Sequence, residues 1–529
     1  MHRDERPTDD KPPHWVLVLL TLTTLGVLIT RALQANESLW LDELHTAWAA
    51  GGSFGDIASR SAQGNQSPLF FWAEWLLTHA LGRQELVLRL PSLLAGAGLG
   101  VALYAMVRRW TASPWLGLLP ALLLAIDPQA AYYGTEARPY ALVQLLAALH
   151  VALFVTLTEE PTVPRRAAFA TGAAILFHLH YTAVFVIAAE LVWYVWRRAT
   201  SRPRYRAGAL ATDLAVVALL LTPAHGILRL VATRRANWEA FVERQPIWNG
   251  LAMVPWAVTA LVMSVFAAGW HRMSGATGKP SGSSPTVPAD PAVSTPGSGA
   301  MTPTGTMAMA ICWLVVPIGL AWLATATDVA RLLTPRYLAA SAPAAVVLLA
   351  LAIHALPSAR IRAGVAIVVA GVGMATSSSV RLIATSGRLI DWRTDDWRAA
   401  IEAFNGDSRH TEGMVLLRSL LIESDALGAT TDSALTSYSL YPVTSLYPMD
   451  APTQRLYPLP RSRPSQIGDD AVRRIAAEGQ AWLVFGGSND AELACESALL
   501  RMLSTQSDVP WSTESRRSFG TVRLVLLRR

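Results

Sequence analysis

Long apolar runs separated by short polar turns make up most of the chain. Charged residues are sparse from about residue 14 to 384 and become frequent from 391 onward. A helix needs about 20 apolar residues to cross a bilayer, so the pattern predicts an α-helical polytopic membrane protein with about 11 transmembrane helices. The predicted spans are 14–33, 88–107, 114–126, 137–157, 166–179, 181–196, 208–230, 250–270, 306–325, 336–356 and 362–384.

The apolar segment 68–82, PLFFWAEWLLTHALG, is too short to span a bilayer. Leu69 and Leu76 recur on one helical face with other apolar residues, whereas Glu74 and Thr78 lie on another face. This spacing predicts an amphipathic helix that lies in the membrane interface.

The distribution of arginine and lysine predicts an orientation in the plasma (inner) membrane. With the N-terminus in the cytoplasm, the basic turns at 108–109, 165–166, 197–206, 271–279 and 360–362 all face the cytoplasm, as the positive-inside rule requires. The first loop and the C-terminal region are then extracytoplasmic.

The change in charge density predicts two domains: a transmembrane domain over 1–390 and a soluble extracytoplasmic α/β domain over 391–529. In the first domain, 34–87 forms an external loop, and the Pro/Ser/Gly/Thr-rich stretch 271–305 is a disordered cytoplasmic linker. In the second, strands are predicted at 414–419, 481–487 and 521–527, and helices around 394–404 and 471–478.

The tripeptide LYP recurs in the soluble region, at 440–442, 446–448 and 456–458. Proline and neighbouring polar residues are typical of turns. Two interpretations stay open: a turn-rich loop, or an aromatic surface that contacts a sugar.

Composition supports the membrane assignment and excludes other classes. The chain is 52% hydrophobic and 16% charged, with a mean hydropathy of +0.32, whereas soluble proteins carry about 25% charged residues. The net charge of +6 does not indicate nucleic-acid binding, because the arginines cluster at span ends. Cys312 lies in an apolar run and Cys495 in the polar region, so neither a disulfide nor a zinc motif is expected.

An adjacent pair of carboxylates, Asp42 and Glu43, follows the first predicted span in the sequence WLDELHTAW. A carboxylate at membrane depth costs a few kcal/mol and is usually functional. The same pair just above the membrane is inexpensive, so the pair alone does not establish a site.

Arginines and aromatic residues gather at the external ends of the predicted spans. The planar guanidinium group donates paired hydrogen bonds to phosphate, which makes Arg89, Arg138 and Arg336 candidates for contact with an anionic substrate. Snorkelling to lipid headgroups is the alternative for each. Neighbouring residues complete the candidate substrate-binding set: Glu136, Tyr140, His180 and Tyr337. A structural role is the alternative for His180.

Five motifs follow one another along the chain: WLDELHTAW, NQSPLFFWAEWLLTHALGRQELVLRLPSLLAG, DPQAAYYGTEARPYAL, HLHYTAVF and TPRYLAASAP. Together they resemble the membrane glycosyltransferases of families 39 and 83, which include the protein O-mannosyltransferases and the aminoarabinose transferase that acts on lipid A. The resemblance covers most of residues 14–400 and implies the GT-C fold.

The resemblance implies sugar transfer outside the membrane, from a polyprenyl-phosphate donor to a hydroxyl of a lipid, polysaccharide or protein acceptor. The catalytic aspartate of the family falls on Asp42, which would take the proton of the attacking hydroxyl, and Glu43 completes the catalytic pair. A single displacement inverts the anomeric configuration, and the leaving phosphate needs cationic partners. No cofactor and no metal are predicted.

One residue departs from the resemblance. Relatives commonly carry HPPL where this chain has QSPL, and Gln66 hydrogen-bonds but does not titrate near neutral pH. The alternative functional class is a non-catalytic transporter or lipid-handling protein, for which repeats or polar mid-span residues are expected. A glycosyltransferase-like scaffold without activity is a third reading.

Overall fold

The computed structural model describes residues 11–201, 203–234, 242–276, 303–391, 393, 395–419, 433–459 and 467–529. Most of the predicted linker 271–305 therefore lies outside the described residues. The described chain is mainly helical and ends in a small region of mixed helix and sheet. This confirms the predicted fold class, a helical membrane protein with a small C-terminal α/β domain.

The chain forms two compact units. The first, here called the helical unit, comprises Met1–Arg31, Ser92–Thr135 and Pro139–Ile390. The second, called the sheet unit, comprises Ala32–Pro91, Glu136–Arg138 and Asp391–Arg529. The sheet unit thus combines the segment after the first helix with the C-terminal region.

The helices before the sheet are numbered in chain order. They are α1 His14–Gln34, α2 Leu41–Ala50, α3 Ile57–Gln63, α4 Leu69–Leu81, α5 Glu85–Thr111, α6 Pro114–Ala125, α7 Pro128–Tyr133, α8 Tyr140–Glu159, α9 Val163–Leu179, α10 Val184–Thr200, α11 Ala207–Leu220, α12 His225–Thr233, α13 Ile247–Ala252, α14 Ala257–Ala276, α15 Pro303–Ala326, α16 Ala342–His354, α17 Ala359–Thr376 and α18 Ser378–Ser386.

Several of these helices have the length and apolar composition of membrane spans. Within the described residues, five pass this test: α1, α5, α8, α15 and α17. The bent pair formed by α11 and the segment Thr222–Thr233 makes a sixth if it is counted as one span, and shorter apolar helices such as α6 accompany them. The total of about 11 spans remains a prediction.

Several predicted spans are broken, including 250–270, which is interrupted between Ala252 and Ala257. The span predicted at 208–230 bends by 40° between α11 and Thr222, where Pro223 lacks the N–H that would continue the helical hydrogen bonds. The span predicted at 362–384 ends at Thr376, and the Ser377 hydroxyl accepts a hydrogen bond of 3.3 Å from the Val380 N–H to begin α18.

The interior of the helical unit is packed with large aromatic side chains. Trp193 and Trp313 are fully buried, and their indole N–H groups each donate a 2.9 Å hydrogen bond, to the carbonyls of Gly305 and Ala340 respectively. Apolar side chains also face outward, and Val265 remains 74% exposed. An exposed apolar helical surface of this kind suits contact with lipid.

The C-terminal region contains a five-stranded sheet. Its elements are α19 Trp397–Asn405, β1 Met414–Arg418, α20 Ser433–Tyr441, β2 Leu456–Pro458, α21 Asp469–Glu478, β3 Gln480–Gly486, α22 Asn489–Ser504, β4 Ser512–Phe519 and β5 Val522–Arg528. The strand order is β2-β1-β3-β5-β4. The pairs β2-β1 and β1-β3 are parallel, and β3-β5 and β5-β4 are antiparallel.

Burial along the strands follows their positions in the sheet. Every residue of β1 and β3 is buried, as expected for inner strands covered on both faces. The edge strand β4 alternates between exposed and partly exposed residues. The three predicted strands are confirmed as β1, β3 and β5, whereas β2 and β4 were not predicted.

Helix α4 occupies the segment in which the sequence predicted an amphipathic helix. Its inner face buries Phe71, Glu74 and Thr78, while Leu76 and Leu81 on the opposite face are exposed. The exposed apolar face fits an interfacial helix; its location in the membrane interface remains a prediction.

Candidate active site

The predicted site residues fall into two groups, one in each unit. Asp42, Glu43, Arg89, Glu136 and Arg138 belong to the sheet unit. The helical unit contains the remaining candidates: Tyr140, His180, Arg336 and Tyr337.

Glu43, in the first turn of α2, is fully buried and saturated with hydrogen bonds. Its Oε1 accepts from Arg89 Nε at 2.8 Å, the Ala137 N–H at 2.7 Å and Arg393 Nη1 at 3.1 Å. Its Oε2 accepts from Arg89 Nη2 at 2.5 Å and the Trp40 N–H at 3.3 Å. Burial acts to raise the pKa of this carboxyl, but Arg393 and Arg89 outweigh it and hold the pKa below its usual value. A carboxylate offers about four lone-pair sites, so this one is suited to anchor α2 rather than to take up a proton.

The hydrogen-bonding capacity of Arg89 is also fully used within the protein. Its guanidinium donates twice to Glu43, and also to the carbonyls of Ala35 at 2.9 Å, Glu37 at 2.6 Å and Ser38 at 3.3 Å. An arginine has five N–H donors, and these five bonds use them all. The geometry therefore does not support the predicted contact of Arg89 with substrate; instead, this arginine fixes the segment between α1 and α2.

Asp42 is the accessible member of the pair, because its side chain is 22% exposed whereas that of Glu43 is 0% exposed. Arg138 Nη2 lies 3.8 Å from Asp42 Oδ2, and Arg138 Nη1 donates to the Asp42 carbonyl at 3.4 Å. With its amide oxygen turned toward the guanidinium, Gln66 accepts from Arg138 as well, at 2.8 Å from Nη1. Gln66 thus contacts the arginine beside Asp42.

Two further titratable groups in the sheet unit are held neutral. Glu136 is 1% exposed, its Oε2 has no hydrogen-bond partner among the described residues, and burial raises its pKa to about 8 although Arg393 opposes the shift. Burial, reinforced by Arg138, lowers the pKa of His45 to about 3. Glu136 is therefore a protonated acid at neutral pH, and His45 an uncharged imidazole.

Glu74, on the inner face of α4, was not predicted as a site residue. It is fully buried, and neither carboxyl oxygen has a hydrogen-bond partner among the described residues. Burial and the nearby charge of Glu43 raise its pKa well above the usual value. Like Glu136, it is a buried carboxyl in the sheet unit whose ionised form is disfavoured.

The structure also adds Arg393, which sequence reasoning missed. This arginine lies in the charged run DWRTDDW that follows α18, far from Glu43 along the chain. Nothing in the local pattern distinguishes it from its charged neighbours. Only the folded chain brings it to the buried carboxylate.

In the helical unit, the four predicted residues form one cluster. The ring of His180 lies 5.5 Å from that of Tyr140 and 5.5 Å from that of Tyr337, between centroids. The Arg336 guanidinium carbon lies 5.5 Å from the Tyr337 centroid, within cation–π range. The Thr182 hydroxyl contacts His180 Nδ1 at 2.8 Å and donates to the Tyr337 carbonyl at 2.9 Å. A cation beside clustered aromatic rings is suited to an anionic or sugar ligand.

In the described ranges, no group of three or more His, Cys, Asp or Glu residues is arranged to hold a metal ion. The prediction that the protein needs no metal stays a prediction.

Comparison with known proteins finds a family match over part of the chain. A family model described as dolichyl-phosphate-mannose-protein mannosyltransferase matches residues 65–226. A crystal structure of ArnT from Cupriavidus metallidurans in the apo state shows 12% identity and a TM-score of 0.38, over 97% of this chain and 98% of that chain. A crystal structure of ArnT from Cupriavidus metallidurans bound to undecaprenyl phosphate shows 10% identity and a TM-score of 0.36, over 97% of this chain and 98% of that chain. No curated protein matches the chain.

The family match covers the sequence from Gln66 through the Glu136–Arg138 segment to His180. It supports a glycosyltransferase and leaves the sugar unspecified. The resemblance inferred from the motifs is confirmed over residues 65–226, where the chain is similar to the dolichyl-phosphate-mannose-protein mannosyltransferases.

Proposed function

We propose that the protein is an inverting glycosyltransferase that moves a sugar from a polyprenyl-phosphate donor to an acceptor hydroxyl at the extracytoplasmic face of the membrane. The observation that carries this proposal is the difference in environment between the two carboxylates of the pair. Glu43 is buried and fully bonded, whereas Asp42 is accessible and lies beside Arg138. The description of the matching family names a dolichyl-phosphate sugar, which supports a lipid-phosphate donor.

In the proposed reaction, an Asp42 carboxylate oxygen accepts the proton of the acceptor hydroxyl while that hydroxyl oxygen attacks the anomeric carbon. The bond from the anomeric carbon to the phosphate oxygen breaks, and the lipid phosphate leaves with the electron pair. Attack from the opposite face inverts the anomeric configuration. General-base catalysis of this kind contributes about 10²- to 10⁴-fold in rate.

Arg138 is the proposed partner of the leaving phosphate. A guanidinium group can donate paired hydrogen bonds to phosphate oxygens and so stabilise the charge that develops there. Gln66 and the Asp42 carbonyl orient this guanidinium from the protein side. Because the Gln66 amide is neutral, it orients Arg138 without cancelling its charge.

The remaining polar groups receive proposed supporting roles. Protonated Glu136 is a hydrogen-bond donor available to a sugar hydroxyl or a phosphate oxygen. In the helical unit, the cluster of Tyr140, His180, Arg336 and Tyr337 offers aromatic faces and one cation to an anionic or sugar ligand. The placement of the N-terminus in the cytoplasm and of the C-terminal region outside is part of the proposal and is supported by the basic turns.

The test uses purified protein in nanodiscs with a polyprenyl-phosphate sugar and a panel of hydroxyl acceptors, and it measures release of polyprenyl phosphate. Asp42→Asn is expected to lower the rate by about 100-fold or more. Asp56→Asn is the matched control, since this exposed carboxylate in the same segment only caps a turn at Ser53. Equal rates in the two variants would remove Asp42 from the mechanism. Solute transport by proteoliposomes without donor cleavage would instead favour the transporter alternative.

A further inference from the structure

Tyrosine hydroxyls from the C-terminal region hydrogen-bond the backbone at both ends of α2, the helix that bears the carboxylate pair. The Tyr447 hydroxyl accepts a 2.9 Å hydrogen bond from the Leu39 N–H, just before the helix. The Tyr441 hydroxyl donates a 3.0 Å hydrogen bond to the Ala47 carbonyl, near its end. All four residues are buried.

A third tyrosine contacts the side chains of α2. The Tyr438 hydroxyl lies 2.8 Å from His45 Nδ1, and its ring lies 4.0 Å from that of Trp48, between centroids. Tyr438 is 1% exposed and His45 is 3% exposed. This contact therefore fixes the rotation of α2 through a buried neutral imidazole.

Two charged residues that follow residue 391 complete the contact with α2. Asp395 Oδ2 accepts from the Leu41 N–H at 3.2 Å, at the first residue of the helix. Arg393 Nη1 donates to Glu43 Oε1 at 3.1 Å. The C-terminal region thus bonds α2 at its start, in its first turn and near its end.

We infer that the C-terminal region is a positioning scaffold for α2, and that Tyr438, Tyr441, Tyr447 and Arg393 hold this helix so that Asp42 meets Arg138. These are positioning residues, because they act through the helix. The effect on activity rests on the proposed function, whereas the effect on the order of α2 does not.

The LYP repeats sharpen this inference. The first two supply Tyr441 and Tyr447, whose hydroxyls are engaged on the backbone of the α2 segment. Both side chains are buried, which disfavours the reading of these tyrosines as a sugar-contacting surface. The third repeat supplies Tyr457, whose hydroxyl accepts a 3.3 Å hydrogen bond from the Gly468 N–H within the C-terminal region. Tyr457, in the same LYP tripeptide, is therefore an internal control.

The experiment compares Tyr441→Phe, Tyr447→Phe and their double variant with Tyr457→Phe in the full-length protein. Phenylalanine keeps the ring and removes only the hydroxyl, which leaves a buried backbone group without its partner. Hydrogen exchange of the peptide covering 39–50 should accelerate by about tenfold per lost bond. Tyr457→Phe should leave that peptide unchanged.

A second readout is donor turnover. In the scaffold account, the Tyr441 and Tyr447 variants lower kcat by about tenfold while KM for the lipid donor stays the same. Unchanged hydrogen exchange in the 39–50 peptide of the double variant would overturn the inference. It would also be overturned if Tyr441→Phe, Tyr447→Phe and Tyr457→Phe changed the exchange of that peptide equally. If the wild-type protein releases no polyprenyl phosphate, the proposed function fails, but the exchange measurement still decides whether the C-terminal region orders α2.

Discussion

Removing the charge of Glu43 is the most informative perturbation of the carboxylate pair. In Glu43→Gln, the side chain keeps its size and one acceptor oxygen, but its new NH₂ group faces the donors of Arg89 and Arg393. Both guanidinium groups then lose their ionised partner inside the protein, where Glu43 and Arg89 are fully buried and Arg393 nearly so.

The size of the effect follows from that burial. Removing one partner of a buried ion pair typically costs about 3–5 kcal/mol, because an uncompensated charge is left behind. Two arginines share Glu43 here, and its Oε1 also satisfies the Ala137 N–H. We therefore expect the sheet unit to lose about 3 kcal/mol or more of its free energy of unfolding.

The reactivity of the Cys495 thiol offers an assay confined to that unit. Cys495 is 1% exposed in the core around the sheet, and a Cys312→Ser background removes the other thiol. Labelling across a denaturant series at pH 7 then gives the stability of the sheet unit in both proteins. Glu160→Gln is the matched control, since the Glu160–Arg165 pair is on the surface of the helical unit.

The pH dependence of stability has a definite sign. The pKa of Glu43 in the folded chain lies below its ordinary value of 4.5, so its contribution is present above pH 4.5 and is lost as the pH falls through the lower folded value. The difference in stability between the wild-type protein and Glu43→Gln, followed by thermal unfolding, should therefore become smaller only under acid conditions. Equal labelling midpoints for Glu43→Gln and Glu160→Gln at pH 7 would refute the anchoring role.

Other measurements test separate parts of the account. The wild-type protein should lose stability as the pH rises from 4.5 to 8, because the unfolded chain ionises Glu136 near pH 4.5 whereas the folded chain keeps the proton to about pH 8. Glu136→Gln should abolish this loss, and an unchanged pH profile of thermal unfolding would contradict the assignment. Arg138→Lys should raise KM for the lipid donor by about tenfold, because an ammonium group cannot donate in pairs, and an unaltered KM would exclude the proposed phosphate contact. Gln506→Cys, at an exposed position, should react with a membrane-impermeant maleimide in intact cells, while the buried Cys495 stays unlabelled; protection of residue 506 would place the C-terminal region inside.

The helical framework was largely predictable from sequence because its signal is local. Runs such as 88–107 and 306–325 lie inside α5 and α15, since a predominantly apolar run of this length is sufficient to predict a helix in lipid. The strands β1, β3 and β5 were predictable because each is a short, largely apolar run, the pattern of a buried strand. The edge strand β4, with the polar sequence STESRRSF, has no apolar alternation to reveal it.

The site was only partly predictable because its central contacts are long-range. Asp42 and Arg138 were identified from the sequence, and the folded chain places Arg138 Nη2 3.8 Å from Asp42 Oδ2. Arg89, like Arg138, is an arginine at the external end of a predicted span. Only the fold shows that its N–H groups donate to backbone carbonyls and to Glu43. Arg393 is separated from Glu43 by 350 positions, a distance over which no sequence pattern operates.

The most direct test of the central claim separates donor binding from chemistry at Asp42. Excess wild-type or Asp42→Asn protein is mixed with labelled polyprenyl-phosphate sugar and an acceptor, and both bound donor and freed lipid phosphate are followed through a single turnover. The account predicts that Asp42→Asn binds the donor as well as wild type but frees at least about 100-fold less lipid phosphate. Release of lipid phosphate at the wild-type rate from the bound complex would contradict it.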